Sequence, residues 1–178
     1  MPLFITLIIL SYFILGKPVF FIQKRPGLHG KPFKIIKFRT MLILEDDKLK
    51  KISDDQRTHP YGLWLRSLSL DELPQIFNVL IGNMSLVGPR PLLMEYLSLY
   101  DHNQIKRHNV LPGITGWSQI NGRNDITWKE RLNQDVWYVK NRTFLLDLKI
   151  IFITIFKVIK RENILTTNKY FMKKFKGK

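Results

Sequence analysis

Residues 67–91 read SLSLDELPQIFNVLIGNMSLVGPRP, and the way this stretch folds decides where the charged groups of the chain can meet. The pattern predicts a helix over residues 70–81, approached from Trp64 and stopped by Gly82-Asn83. Gly88, Pro89 and Pro91 preclude a regular element, so residues 84–91 are expected to form a loop. Asp71 and Glu72 then stand at the start of a helix, and Arg90 stands in a loop, held between two prolines.

That placement has chemical consequences. Neighbouring residues on a helix point about 100° apart, so adjacent carboxylates do not readily share a proton. They can divide labour instead, one attacking phosphorus while the other holds a magnesium ion. Free N–H groups and the dipole at a helix start favour negative charge, which predicts that Asp71 is ionised at neutral pH. Attack of a carboxylate on a phosphate needs cations to neutralise the incoming charge. Arg90 suits that role as a bidentate donor on a stiff backbone. Lys37 and Arg39 alternate with apolar residues on a predicted strand and add charge to the same expected pocket. A second reading stays open, because Ser69-x-x-Glu72 is also a capping box at a helix start. Pro74 fits that box badly, at the fifth helical position, whereas with Asp71 as the cap it falls in the first turn.

Working outward, residues 19–25 (VFFIQKR) and 32–40 (PFKIIKFRT) read as strands, joined through Pro26-Gly27 and His29-Gly30 into a β-hairpin. Residues 45–57 hold five of the fourteen acids and read as a solvated helix or loop, not a metal site. Residues 92–110 predict a helix, residues 111–123 a second Gly/Pro loop, and residues 126–140 another helix.

The two ends of the chain point to lipid. Residues 1–16 (MPLFITLIILSYFILG) carry no charge. As a helix they span about 24 Å, short of the hydrocarbon core of about 30 Å. They lack the positive n-region and cleavage site of a signal peptide. A helix apolar on every side needs a large protein to bury it, so a membrane-embedded helix or one arm of a re-entrant hairpin is the better account. All 29 Lys and Arg residues follow, which places a single domain, residues 17–178, on the cytoplasmic side. Residues 145–159 (LLDLKIIFITIFKVI) read as a core helix or as an interfacial amphipathic helix with a basic tail. Taken with residues 1–16, the interfacial reading is preferred.

The net charge of +15 calls for a polyanionic partner: anionic lipids, phosphorylated small molecules or nucleic acid. The uncharged start argues against nucleic acid, which stays as a rival beside a non-catalytic membrane-surface protein. With no cysteine, disulfides, thiolate zinc sites and cysteine nucleophiles are excluded. The histidines (His29, His59, His102 and His108) show no paired metal spacing.

Longer motifs run in order along the chain: GKPFK at 30–34, KFRTM at 37–41, RSLSLDELPQ at 66–75 and MSLVGPRP at 84–91. Arg107-His108, PGITGW at 112–117, Asn121-Gly122-Arg123, Asp135 through Tyr138 and Asp147-Leu148-Lys149 complete them. In these the sequence resembles the bacterial sugar transferases, the small monotopic phosphoglycosyl transferases acting on polyprenol phosphate. The resemblance implies an α+β fold, mainly helical with a small β-hairpin. It further implies a monotopic membrane protein, with a re-entrant membrane helix at residues 1–16 and interfacial amphipathic helices. Family members begin with a longer apolar helix bent by a Ser-Pro pair. Pro2 falls at that proline and Met1 at the serine, so the segment is expected to be shortened at its N-terminus.

The implied reaction has two steps and sits at the cytoplasmic face of the cell inner membrane, where it starts glycan assembly. Asp71 attacks the β-phosphate of a UDP-sugar and releases UMP; a polyprenyl phosphate, typically undecaprenyl phosphate, then takes the phosphosugar. By the same resemblance Glu72, with Asp71, holds Mg2+, and Arg90 binds substrate. Lys37, Arg39, Asp135 and Asp147 are expected in the pocket, Asp147 being equally readable as a polar break in an interfacial helix. The family points weakly to an N-acetylated or deoxy amino sugar.

Overall fold

The computed structural model describes residues 2–43, 57–122, 126–160 and 174–177. The polar segment expected over residues 45–57 falls outside them except for Arg57, and Arg123 falls outside as well. The fold is α+β. Helix α1 (Pro2–Leu15) opens the chain with a proline in its first turn, where a missing N–H costs nothing. At fourteen residues it is about 21 Å long. No helix among the described residues is long and apolar enough to cross a membrane. One stripe of α1 is buried: Leu7 joins Phe38 and Leu65 in a small core, and the Ser11 and Tyr61 hydroxyls share a hydrogen bond of 3.0 Å.

The expected hairpin forms from β1 (Phe20–Pro26) and β2 (Pro32–Phe38), antiparallel from Phe20 opposite Phe38 to Pro26 opposite Pro32. Its turn, Leu28–Gly30, places His29 (φ 53°) and Gly30 (φ 74°) in the left-handed region. Helix α2 (Pro60–Ser67) follows, capped by the His59 ring, which accepts the Tyr61 N–H.

The helix expected over residues 70–81 is broken in two. Ser69 is left-handed (φ 55°), Leu70–Glu72 make a single 3₁₀ turn, and helix α3 (Gln75–Leu80) starts only after Pro74. Ser69 makes no side-chain cap, so the alternative capping box does not form. The proline again decides the boundary, since inside one continuous helix it would have removed a hydrogen bond. Gly82 (φ 78°) ends the helix as expected.

Both expected loops contain a strand. Parallel β3 (Ser85–Val87) and β4 (Gly113–Thr115) pair Ser85 with Gly113 and Val87 with Thr115. Three-residue strands are too short to show a period. What permits them is glycine, for a side chain on Gly113 would strike the backbone of Gly88. The helix expected over residues 92–110 is replaced by two 3₁₀ segments, Met94–Leu99 and Gln104–His108. Between them Asp101 turns its carboxylate onto the N–H groups of Asn103 (2.7 Å) and Gln104 (2.8 Å), a local bonding pattern that competes with helix.

Helices α4 (Trp117–Ile120), α5 (Trp128–Asn141) and α6 (Phe144–Ile159) follow. A full Thr127–Glu130 capping box starts α5, and the Thr143 hydroxyl caps α6. Val87, Val110, Ile120, Tyr138 and Ile150 form a core that ties β3 to α4, α5 and α6. Leu92, Tyr96, Leu132 and Phe175 form another, which α5 joins through Leu132.

Candidate active site

Three elements deliver one cluster. Glu72, on the 3₁₀ turn, accepts the Lys37 ammonium of β2 at 2.7 Å through Oε1. It also accepts Arg90, from Nη2 to Oε1 at 2.5 Å and from Nη1 to Oε2 at 3.2 Å, in the fork geometry of an arginine–carboxylate pair. Burial alone would push the Glu72 carboxyl up, but the combined pull of Arg90 and Lys37 holds it well below the usual carboxylate range.

Asp71 lies beside this cluster at 9% exposure, within the field of Lys37, Arg90 and Arg66. Among the described residues it is Glu72, not Asp71, that takes the two cations. Burial first, then the neighbouring Glu72 charge, push the Asp71 carboxyl above its ordinary value; the three cations pull the other way. The expected helix start is corrected: the local element is one short turn, and burial is the largest influence on this carboxyl.

Each cation is fixed by its own backbone. The Asn78 side chain of α3, 1% exposed, accepts the Ile36 N–H (3.2 Å) and donates to the Lys34 carbonyl (2.8 Å), pinning the strand that carries Lys37. Arg90 follows β3 directly. The Pro89 carbonyl accepts the Gly113 N–H (3.1 Å), and the Arg90 carbonyl accepts Arg107 Nη2 at 2.7 Å. Arg107 in turn donates to Asp135 Oδ2 from Nη2 (2.8 Å) and Nε (3.1 Å), while Ser118 donates to Asp135 Oδ1 (2.7 Å). This second ion pair is sealed, with side chains 1% and 2% exposed.

The sequence-derived residues thus fall into three groups. Lys37, Asp71, Glu72 and Arg90 come together. Asp135 stands one layer behind and reaches the cluster only through Arg107 and the Arg90 backbone. Arg39 turns away: it lies past the end of β2 and donates to the Leu15 carbonyl and, at 2.6 Å, to the Gly16 carbonyl, closing the C-terminal end of α1. Asp147, in the first turn of α6, accepts the Tyr138 hydroxyl at 2.7 Å, and burial first, then this bond, raise the phenol's pKa. Arg107, Ser118 and Asn78 were not singled out for a role in the sequence. Arg107 stands there only in a motif, and Asn78 is a polar residue set between Phe77 and Val79.

Chemically, the arrangement offers a carboxylate with cations around it and an arginine whose side chain is still 36% exposed. Two of the five guanidinium N–H donors are engaged, so others can meet a phosphate. No group of three or more metal-ligating side chains occurs among the described residues. Magnesium is commonly held by one or two carboxylates with substrate phosphates completing its shell, and the adjacent Asp71 and Glu72 fit that pattern.

Comparison with known proteins gives this geometry a context. The model of the bacterial sugar transferase family matches residues 1–161. The chain is 55% identical over 163 residues to the uncharacterized sugar transferase EpsL of Bacillus subtilis, covering 92% of this chain and 81% of that protein. It is 40% identical over 171 residues to the exopolysaccharide production protein ExoY of Rhizobium meliloti, covering 86% of this chain and 76% of the relative. A UDP-glucose:undecaprenyl-phosphate glucose-1-phosphate transferase of Klebsiella pneumoniae is 47% identical over 150 residues; the match spans 79% of this chain and 32% of that longer protein. With four of its motif residues joined in one cation–carboxylate cluster, the chain belongs to the bacterial sugar transferase family and is an enzyme of that transferase class.

Proposed function

We propose that the protein transfers a sugar 1-phosphate from a UDP-sugar to undecaprenyl phosphate, by way of a phosphosugar held on Asp71. The observation that carries this reading is the Asp71 carboxylate, set beside a Glu72–Lys37–Arg90 cluster that can receive a diphosphate. In the first step an Asp71 oxygen bonds to the β-phosphorus, and the bond from that phosphorus to the bridging oxygen breaks. UMP leaves with the bridging oxygen. In the second, an oxygen of the acceptor phosphate bonds to the same phosphorus and Asp71 is released as the free carboxylate.

Arg90 and Lys37 orient the diphosphate and offset its charge, which acts most strongly in a water-poor site. Asp71 and Glu72 would hold magnesium, whose chemistry here is to neutralise charge on the donor diphosphate. A membrane location is supported by apolar side chains left exposed on α1 (Leu3, Ile5, Phe13), α3 (Leu80) with the adjoining Ile81, and α6 (Phe144, Phe152). The excess of basic residues suits the anionic inner leaflet.

The test is a membrane preparation containing the protein, undecaprenyl phosphate and magnesium, given a panel of UDP-sugars that includes glucose, galactose and N-acetylated amino sugars. At least one donor is expected to yield UMP together with sugar in the lipid fraction. Nucleotide release as UDP, or no lipid product from any donor, would contradict the reading.

A further inference from the structure

A cavity of about 480 Å³ lies between α1, α3, α4 and α6. Its walls are mostly apolar: Phe4 from α1, Ile76 and Leu80 from α3, Ile120 from α4 and Val158 from α6. That volume is within the range of about 300–1,000 Å³ typical of ligand sites. Thr115, Gln119, Thr154 and Lys157 add polar groups, and Ser69, Glu72 and Leu73 line one wall, so the cavity borders the same short turn that carries Asp71. Cα atoms of neighbouring residues lie about 3.8 Å apart, so the cavity reaches to within one residue of Asp71, whose neighbour Glu72 lines it.

We infer that this cavity receives the head-proximal isoprene units of the acceptor lipid, with the acceptor phosphate at the Asp71–Glu72 wall. The inference rests on the transfer reaction proposed above and adds the place where the tail binds. The lining selects the occupant. A sugar in this space would face a mostly apolar lining and leave hydroxyl groups without partners against Phe4, Ile76 and Val158. An isoprenoid has no hydroxyl groups to strand and is stabilised by each CH₂ removed from water. The charged lining groups are Glu72 and Lys157, and Lys37 and Arg90, which can offset a phosphate's charge, bond to Glu72. The space is too small for a whole long-chain polyprenol. Leu3 and Leu80, at its edge, are exposed, so the remainder of the tail leaves over the apolar surface of α1 and α3.

Two measurements on the full chain in nanodiscs test this. The first compares geranyl, geranylgeranyl and undecaprenyl phosphate as acceptors with one fixed donor. For the wild type, kcat/KM should rise steeply from geranyl to geranylgeranyl phosphate and little beyond. Ile76→Trp and Val158→Trp, which fill the space, should cut the geranylgeranyl value about tenfold and the geranyl value far less, flattening the series. A rise with length that both variants retain, or an equal loss for every acceptor, would overturn the inference. The second measurement uses a geranylgeranyl phosphate bearing a photoreactive group at its third isoprene unit. Cross-links on the cavity-lining residues of α1, α3, α4 and α6 support the cavity, and cross-links confined to residues outside it overturn it. Cross-links on those lining residues from a protein that transfers to no acceptor would sink the proposed reaction and leave the cavity assignment standing.

Discussion

Glu72 and Asp135 are both carboxylates paired with an arginine, and both act on Arg90, yet their surroundings differ. Glu72 meets the Arg90 guanidinium at a partly open position, with side chains 13% and 36% exposed. Asp135 meets Arg107 in a sealed layer, and Arg107 holds the Arg90 carbonyl. An open pair can exchange partners with an incoming phosphate. A sealed pair cannot, because parting it would strand two buried charges. Chemistry and positioning are thus divided between the side chain and the backbone of one residue.

The largest effect should come from breaking the sealed side. Arg107→Met leaves Asp135 buried without its partner and is expected to cost about 3–5 kcal/mol in a denaturant titration. Arg107→Met combined with Asp135→Leu should recover most of that stability, since an apolar pair can replace a buried ion pair. Donor kcat/KM should nevertheless stay low in the double variant, because nothing then holds the Arg90 carbonyl. Full recovery of both would reduce the sealed pair to a purely structural role.

The open side should respond in the reverse way. Arg90→Ala is expected to lower donor kcat/KM by about a hundredfold with little change in Tm, as read in steady-state assays and a thermal melt. A third test uses acid. His108, beside Arg107 and 5% exposed, has its pKa lowered from 6.5 to about 4, first by burial and then by the Arg107 charge. Its folded-state pKa is depressed, so its contribution is present above pH 6.5 and is lost as the pH falls towards 4. Glu72, also depressed, loses its contribution only below the ordinary glutamate range. Between those limits acid should loosen the sealed side first, and His108→Gln should flatten the fall in Tm. The smallest effect is expected for Ser118→Ala, about 1 kcal/mol for one hydrogen bond to Asp135.

The same division explains what could be read before the fold was known. The hairpin, α5 and α6 follow from local patterns, and Glu72 with Lys37 and Arg90 follows from charge chemistry on motifs. The paired strands β3 and β4 did not, because three residues carry no period and their pairing spans a long stretch of chain. Arg39 has the alternation that marks Lys37, but β2 ends at Phe38, and the next residue turns to the end of α1. Asp135 resembles a pocket residue until Arg107, distant in sequence, is seen to cover it. The surroundings of Asp71 were hidden for a like reason: Ser69 and Pro74 leave one turn in place of a continuous helix, and burial is the largest influence on its carboxyl.

The central claim is that Asp71 itself becomes bonded to phosphorus. Intact-mass spectrometry of the purified protein, mixed with magnesium and a UDP-sugar that supports lipid transfer but with no acceptor, tests it most directly. The account predicts a mass increase equal to one phosphosugar, mapped to the peptide containing Asp71, absent from Asp71→Asn, and removed when undecaprenyl phosphate is added. Lipid product formed by Asp71→Asn at the wild-type rate, or an adduct that persists in that variant, would contradict it.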